Sequence, residues 1–154
     1  MPTNLYGPND NFDLKSSHVL PAMIRKFHEA KCNGNSPVEL WGTGSPMREF
    51  LHVDDLAQAV LFVLENKMEE HLYNVGTGVD LTIKELAKQI QSTVGHQGEI
   101  TWDLSKPDGT KRKLLDISKL DREGWKNKIN FTQGLSSTYS WFCMNQENNR
   151  RLKN

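Results

Sequence analysis

The chain has 154 residues, 36% of them hydrophobic and 25% charged, and its 19 basic side chains are balanced by 19 acidic ones. That length suits one domain with a real core, and a formal net charge of zero gives no support to nucleic-acid or membrane-surface binding as the main task. The longest apolar run, residues 59–64, is far short of the roughly 20 residues that span a bilayer.

Residues 1–5 read as the end of an extended segment, closed by the turn-forming run 6–11. Val19, Leu20, Met23, Ile24 and Phe27 make the stripe of a helix over 19–30. Pro21 falls in its first turn, where a missing N–H costs little. A short strand is expected at 38–41, stopped by Gly42-Thr43-Gly44-Ser45-Pro46, and a further extended stretch at 49–53. Asp54 or Asp55 is expected to cap the next helix, which runs to Glu65. That helix is apolar almost all round and calls for cover on most sides. A strand is expected at 72–75, leading into Gly76-Thr77-Gly78.

Thr82 and Glu85 form a capping box. The helix after it, to about Val94, carries Ile83, Leu86, Ala87, Ile90 and Val94 on one face. A strand follows at 99–102, a polar loop at 105–111 and an extended piece at 113–116. Ser118 is read as the cap of a short helical turn. Thr132 opens an amphipathic helix ending near Glu147, and the polar stretch 145–154 is expected to fray. Alternating strands and helices make the fold class α/β. The chain opens inside an extended segment, and the 54–65 helix has more apolar surface than its neighbours can cover. Both features suggest a partner domain beyond these residues.

Cys32 and Cys143 lie far apart without metal-ligand spacing, and no secretory signal opens the chain. They read as reduced thiols of a cytoplasmic protein, and no metal site is expected.

Three segments carry a resemblance. Pro2-Thr3-Asn4-Leu5-Tyr6-Gly7-Pro8, Arg48-Glu49-Phe50-Leu51-His52-Val53-Asp54-Asp55-Leu56-Ala57 and Tyr73-Asn74-Val75-Gly76-Thr77-Gly78 resemble extended short-chain dehydrogenases that act on nucleotide sugars. Narrower features are Asn9-Asp10-Asn11-Phe12, Ser17-His18-Val19-Leu20-Pro21-Ala22, the run Trp41 to Phe50, and Ser105-Lys106-Pro107-Asp108-Gly109-Thr110. They are similar to the GDP-L-fucose synthase family, in its C-terminal part.

The resemblance implies an enzyme that epimerises C3 and C5 of GDP-4-keto-6-deoxy-D-mannose and then reduces the 4-keto group with NADPH. Proton removal beside a ketone needs an acid/base pair and stabilisation of the enolate. His18 matches the family's histidine; by itself, a histidine here is as ready to cap or pack as to react. The family's cysteine, its Ser, its Tyr-x-x-x-Lys pair and its Gly-rich cofactor loop match nothing in these residues, and neither Cys32 nor Cys143 takes the cysteine's position. Pro2, Thr3, Asn4 and Leu5 match the segment lining the nicotinamide side of NADP(H), largely through backbone groups. Lys26, Trp41, Arg48 and Asp108 match substrate contacts, and Arg112 or Lys113 could help to hold the diphosphate. From sequence alone, Lys26 could equally be a solvated helix residue, Trp41 core, Arg48 the partner of Glu49 or Asp54, and Asp108 a turn former.

The resemblance further implies that residues 1–6 and 52–78 pack with a nucleotide-binding Rossmann domain. The full-length enzyme is expected to be a homodimer and this portion alone inactive. Two rivals remain: another nucleotide-sugar epimerase or dehydratase, and a GDP-sugar-binding module without chemistry.

Overall fold

Leu20, Pro21, Met23, Ile24, Phe27 and Ala30 are all buried along α1 (Val19–Cys32), the helical stripe the spacing predicts. A computed structural model describes the backbone of residues 1–151 and the side chains of residues 1–145. Ahead of α1 lies β1 (Asn4–Tyr6), and after it β2 (Val38–Trp41), β3 (Met47–His52) and α2 (Val53–Glu65). Next come β4 (Asp80–Thr82), α3 (Ile83–Val94) and β5 (Ile100–Asp103). The chain closes with β6 (Arg112–Lys113), α4 (Ser118–Arg122) and α5 (Phe131–Arg151).

One core lies where α1 and α3 pack together. Leu86, Ala87, Ile90 and Val94 meet the α1 stripe there, with Val38, Leu40, Phe50, Leu135 and Phe142 completing the cluster. A second, smaller core gathers Leu51, Ala59, Tyr73, Val75, Leu120 and Trp125 beneath α2. Strand β3 joins the two. Its first half pairs antiparallel with β4 and parallel with β6, and its second half pairs parallel with β1, Leu5 opposite Leu51. Strands β2 and β5 make a separate parallel pair. The fold is α/β, as the alternation of elements predicts.

Several boundaries differ from the sequence expectation. The cap of α2 is His52, whose Nδ1 accepts the Asp54 N–H at 3.3 Å. Asp55 is buried and accepts the N–H groups of Lys128 and Ile129, both at 3.0 Å, so its carboxylate anchors a distant loop instead of its own helix. Residues 72–75 form no strand. They run beside the chain start through a single Pro2–Val75 bridge, and the Thr77 N–H that would extend it is taken by Glu49 Oε1 at 2.6 Å. β4 has no counterpart in the sequence expectation, being three residues long with two of them polar. Ser118 is not a cap; its own N–H is held by Asp116 Oδ1 at 2.9 Å. α5 runs past Glu147 to Arg151, and residues 152–154 of the expected polar tail lie outside the described residues.

The apolar surplus of α2 is plain in the structure. Val60, Leu61 and Leu64 are exposed, the last by 76%.

Candidate functional site

The C-terminal end of β1 opens on a cavity of about 600 Å³. Ligands gather at such ends in α/β sheets, where the parallel strands stop and their loops diverge. Past Tyr6 the chain turns through Asn9, whose φ of 66° is left-handed and suits asparagine better than most residues. Short side-chain bonds hold the loop beyond it. Asp10 Oδ1 accepts the Asn11 N–H at 2.7 Å, Asn11 Oδ1 the Asp13 N–H at 3.0 Å, and Asp13 Oδ1 the Lys15 N–H at 3.0 Å. This polar loop delivers His18 to the mouth of α1.

His18 occupies the N-cap position of α1 with φ −70° and ψ 167°, yet its side chain makes no cap bond. The imidazole is exposed and lines the cavity together with residues 2–5, Asp10 and Lys113. Capping is therefore not what this histidine does. Asp10 shares the cavity: burial pushes its carboxyl above the ordinary carboxylate range, offset in part by the Asn11 N–H and by the charge of His18.

Pro2, Thr3, Asn4 and Leu5 all line the same cavity, so the structure brings them together with His18. The side chains of Thr3 and Asn4 turn to the sheet instead, donating to the Glu49 carbonyl at 3.3 and 2.8 Å.

Trp41, Arg48 and Asp108 form a neighbouring group held by the 104–111 loop. Asp108 accepts from the Thr43 N–H at 2.9 Å and bonds the Thr43 hydroxyl at 2.7 Å, tying the Gly42–Ser45 turn to this loop. The Thr43 hydroxyl and then its N–H hold the Asp108 carboxyl below its usual range. Arg48 Nη1 donates to the carbonyls of Met47 and Thr110 at 2.7 and 2.6 Å. It pairs with neither Glu49 nor Asp54, so its charge stands against neutral acceptors. Trp41 is 67% exposed and is no core residue; the Lys106 ammonium lies 5.7 Å from its ring centre.

The structure also separates Arg112 from Lys113. Arg112 grips Asp80 in two-pronged fashion, at 2.6 and 3.2 Å. Lys113, opposite Arg48 in the β3–β6 register, lines the His18 cavity. It is therefore the cation of the basic run that joins the two groups. Lys26 is not among them. Its Nζ donates to the Glu39 carbonyl at 3.1 Å and lines a separate open hollow of about 440 Å³. Tyr139 and Phe142 pack against the ring of His28 on α1.

Sequence reasoning passed over Glu49 and Asp10. Glu49 is fully buried directly beside Arg48. Strand alternation does not single it out, since β3 is buried at every position from Glu49 to His52.

Five carboxylates are held below their usual ranges: Asp80 by Arg112, Glu85 by the Thr82 N–H and hydroxyl, Asp103 by Ser105, Asp108 by Thr43 and Asp116 by Ser118. A depressed folded-state value gives stability that is present above the unfolded value, near 4, and is lost as pH falls through the folded one. Tm should therefore drop as pH falls below about 4, and Asp108→Asn should flatten part of that acid limb. Melts recorded across the range check this.

The sequence pattern of the NAD dependent epimerase/dehydratase family matches residues 1–76. Among curated proteins, the chain is 57% identical over 145 residues to the probable GDP-L-fucose synthase 1 of Oryza sativa subsp. japonica, covering 94% of this chain and 44% of that protein. It is 52% identical over 157 residues to the GDP-L-fucose synthase of Escherichia coli (strain K12), covering 96% and 49%. Among solved structures it is similar to a GDP-L-fucose synthetase from Naegleria fowleri bound to NADP, with a TM-score of 0.89 and 32% identity over 95% of this chain and 46% of that one. The chain thus spans about half the length of the relatives it matches.

Proposed function

We propose that this chain, whose fold and sequence are those of the C-terminal part of an extended short-chain dehydrogenase/reductase, is the substrate-binding half of an enzyme that makes GDP-L-fucose. The whole enzyme would epimerise C3 and C5 of GDP-4-keto-6-deoxy-D-mannose and reduce its 4-keto group. One observation carries the reading: an exposed histidine at the mouth of α1, with no capping duty, faces a cavity walled by residues 2–5 and a lysine. The relatives 52–57% identical are named for making GDP-L-fucose, which supports that product.

In this reading His18 moves protons at the sugar carbons beside the ketone as a general acid and base. Residues 2–5 fit NADP(H), since they line the cavity at the end of a parallel strand while Thr3 and Asn4 keep their side chains on the sheet. The bound nicotinamide would supply the hydride for the 4-keto carbon. Lys113 and Arg48 hold the diphosphate, where a fork of guanidinium donors suits phosphate oxygens. Trp41 covers the nucleotide or sugar, and Asp108 keeps the 42–45 turn and the 108–110 loop in place around it. Lys26 reaches the substrate from α1 only after leaving Glu39.

Residues 1–6 and 52–78 are proposed to pack with a nucleotide-binding half. The exposed Val60, Leu61, Leu64 and Leu72 support this, because such a cluster calls for cover. The enzyme is proposed to be a cytosolic homodimer. Among the described residues, no helix is long and apolar enough to cross a membrane.

The test is turnover by the enzyme carrying this chain. NADPH oxidation with GDP-4-keto-6-deoxy-D-mannose, yielding GDP-L-fucose, is the expected result. Turnover only of other nucleotide sugars would move the chain to a sister activity, and GDP-sugar binding without turnover would leave a binding module. Lys113→Ala should raise KM about tenfold with kcat little changed, the mark of an interaction made equally in ground and transition states. Steady-state kinetics beside a melt check it. Lys113 is exposed, so Tm should hold.

A further inference from the structure

Away from the cavity, the seam between α1 and α5 holds a compact group of reactive side chains. His28 and Cys32 lie one turn apart on α1, and Tyr139 and Cys143 one turn apart on α5. The His28 ring stands between the two pairs. Its Nε2 is 3.5 Å from Cys32 Sγ, and its Nδ1 is 3.0 Å from the Tyr139 hydroxyl and 4.0 Å from Cys143 Sγ. Phe142 packs edge-on against the same ring at 5.3 Å, so the imidazole is held in the seam. Both cysteines are free and exposed. None of these side chains belongs to the sugar-binding site.

We infer that Cys32 and Cys143 are a modification site: a thiol pair that closes reversibly to a disulfide across the α1–α5 seam when a hydroperoxide is present. Both sulfurs contact one imidazole, which can take the proton from either thiol and raise its nucleophilicity. One thiolate attacks the peroxide oxygen, the O–O bond breaks, and the alkoxide leaves as alcohol, giving a sulfenic acid. The second thiolate attacks that sulfur, forming the S–S bond, and the hydroxyl leaves as water. In sum, two thiols and one hydroperoxide give one disulfide, one alcohol and one water; sulfur is oxidised and the peroxide oxygen reduced. A small-molecule or protein thiol reverses it. Both side chains are at the surface, and closure requires each to turn about its own χ1 so that the sulfurs meet past the ring edge.

The arrangement also accounts for Tyr139, whose hydroxyl is pushed up by burial first and then by Cys143. A closed bond would fasten α5 to the helix whose other end carries His18.

The test uses the reduced chain treated with stoichiometric hydrogen peroxide. The expected result is a monomer lighter by about 2 Da, with one cross-linked peptide containing Cys32 and Cys143, restored by dithiothreitol. Cys32→Ser and Cys143→Ser should each abolish the cross-link, and His28→Gln should slow its formation about tenfold or more. Separate oxygen adducts on the two cysteines, or bonds only between chains, would overturn the proposal. An unchanged rate in His28→Gln would remove the imidazole from it. Folding of each variant is read from its melt, and the peptide map of the unsubstituted chain decides the case on its own.

Discussion

His18→Asn in the enzyme carrying this chain should slow solvent-deuterium exchange at C3 and C5 of the sugar by about 10²–10⁴, the usual contribution of a positioned general acid or base. That is about 3–5 kcal/mol of barrier. Asparagine keeps the side chain's approximate size and polarity but cannot carry a proton through neutral pH. Because the imidazole makes no cap bond, α1 should not notice the change, and Tm should stay within about 1 °C. Hydride delivery to a 4-keto sugar with its stereocentres already set should fall far less, since no carbon-bound proton moves in that step. Mass spectrometry of product formed in deuterium oxide reads the first effect, and NADPH oxidation reads the second. Undiminished exchange at both carbons would strip His18 of its role and leave the cavity a binding site only. Asp10→Asn should show a milder loss of the same kind, because the Asp10 carboxyl interacts with His18 across the shared cavity.

Much of this architecture could be read from the order of residues. The α1 and α3 stripes predicted their buried faces, and the Thr82–Glu85 capping box is present in full. What the sequence concealed was mostly tertiary. Asp55 looks like a helix cap because carboxylates favour that place, but a loop 73 residues away offers it two N–H groups. His52 takes the cap instead, and nothing in its local sequence marks it. At the site, the resemblance placed His18 and residues 2–5, and the fold gathered them into one cavity. Which cation of the 111–113 run faces that cavity is a matter of register: Arg112 falls beside Asp80, and Lys113 falls opposite Arg48. Lys26 lies apart from the His18 cavity. Helical spacing could not say whether it or Arg25 faced the substrate, and in the structure Arg25 pairs with Glu29 while Lys26 lies over the Glu39 carbonyl.

Glu49→Ala should lower stability by about 3–5 kcal/mol, a large share of the 5–15 kcal/mol that holds a domain folded. The side chain is wholly buried, and its donors are backbone N–H groups apart from the Thr77 hydroxyl, at 3.4 Å. Oε1 accepts the Thr77 and Gly78 N–H groups at 2.6 and 2.8 Å, and Oε2 accepts the Leu115 N–H at 3.1 Å. Buried ion pairs can often be replaced by apolar side chains without loss, because both partners can be changed together. Here the partners are main-chain amides, which no substitution removes, so alanine leaves three of them unpaired. Glu49→Gln should cost less, about 1–2 kcal/mol, because its oxygen still serves Thr77 and Gly78 while its NH2 meets the Leu115 N–H donor to donor. Gly76→Ala should fall in the same direction, since a Cβ there would strike the Glu49 carboxylate. The effect reaches the site as well. Leu115 lines the His18 cavity, and the Glu49 carbonyl holds Thr3 and Asn4. Chemical denaturation ranks the three variants, and a Glu49→Ala midpoint no lower than that of Glu49→Gln would show that the amides find other partners and that β3 does not depend on this carboxylate.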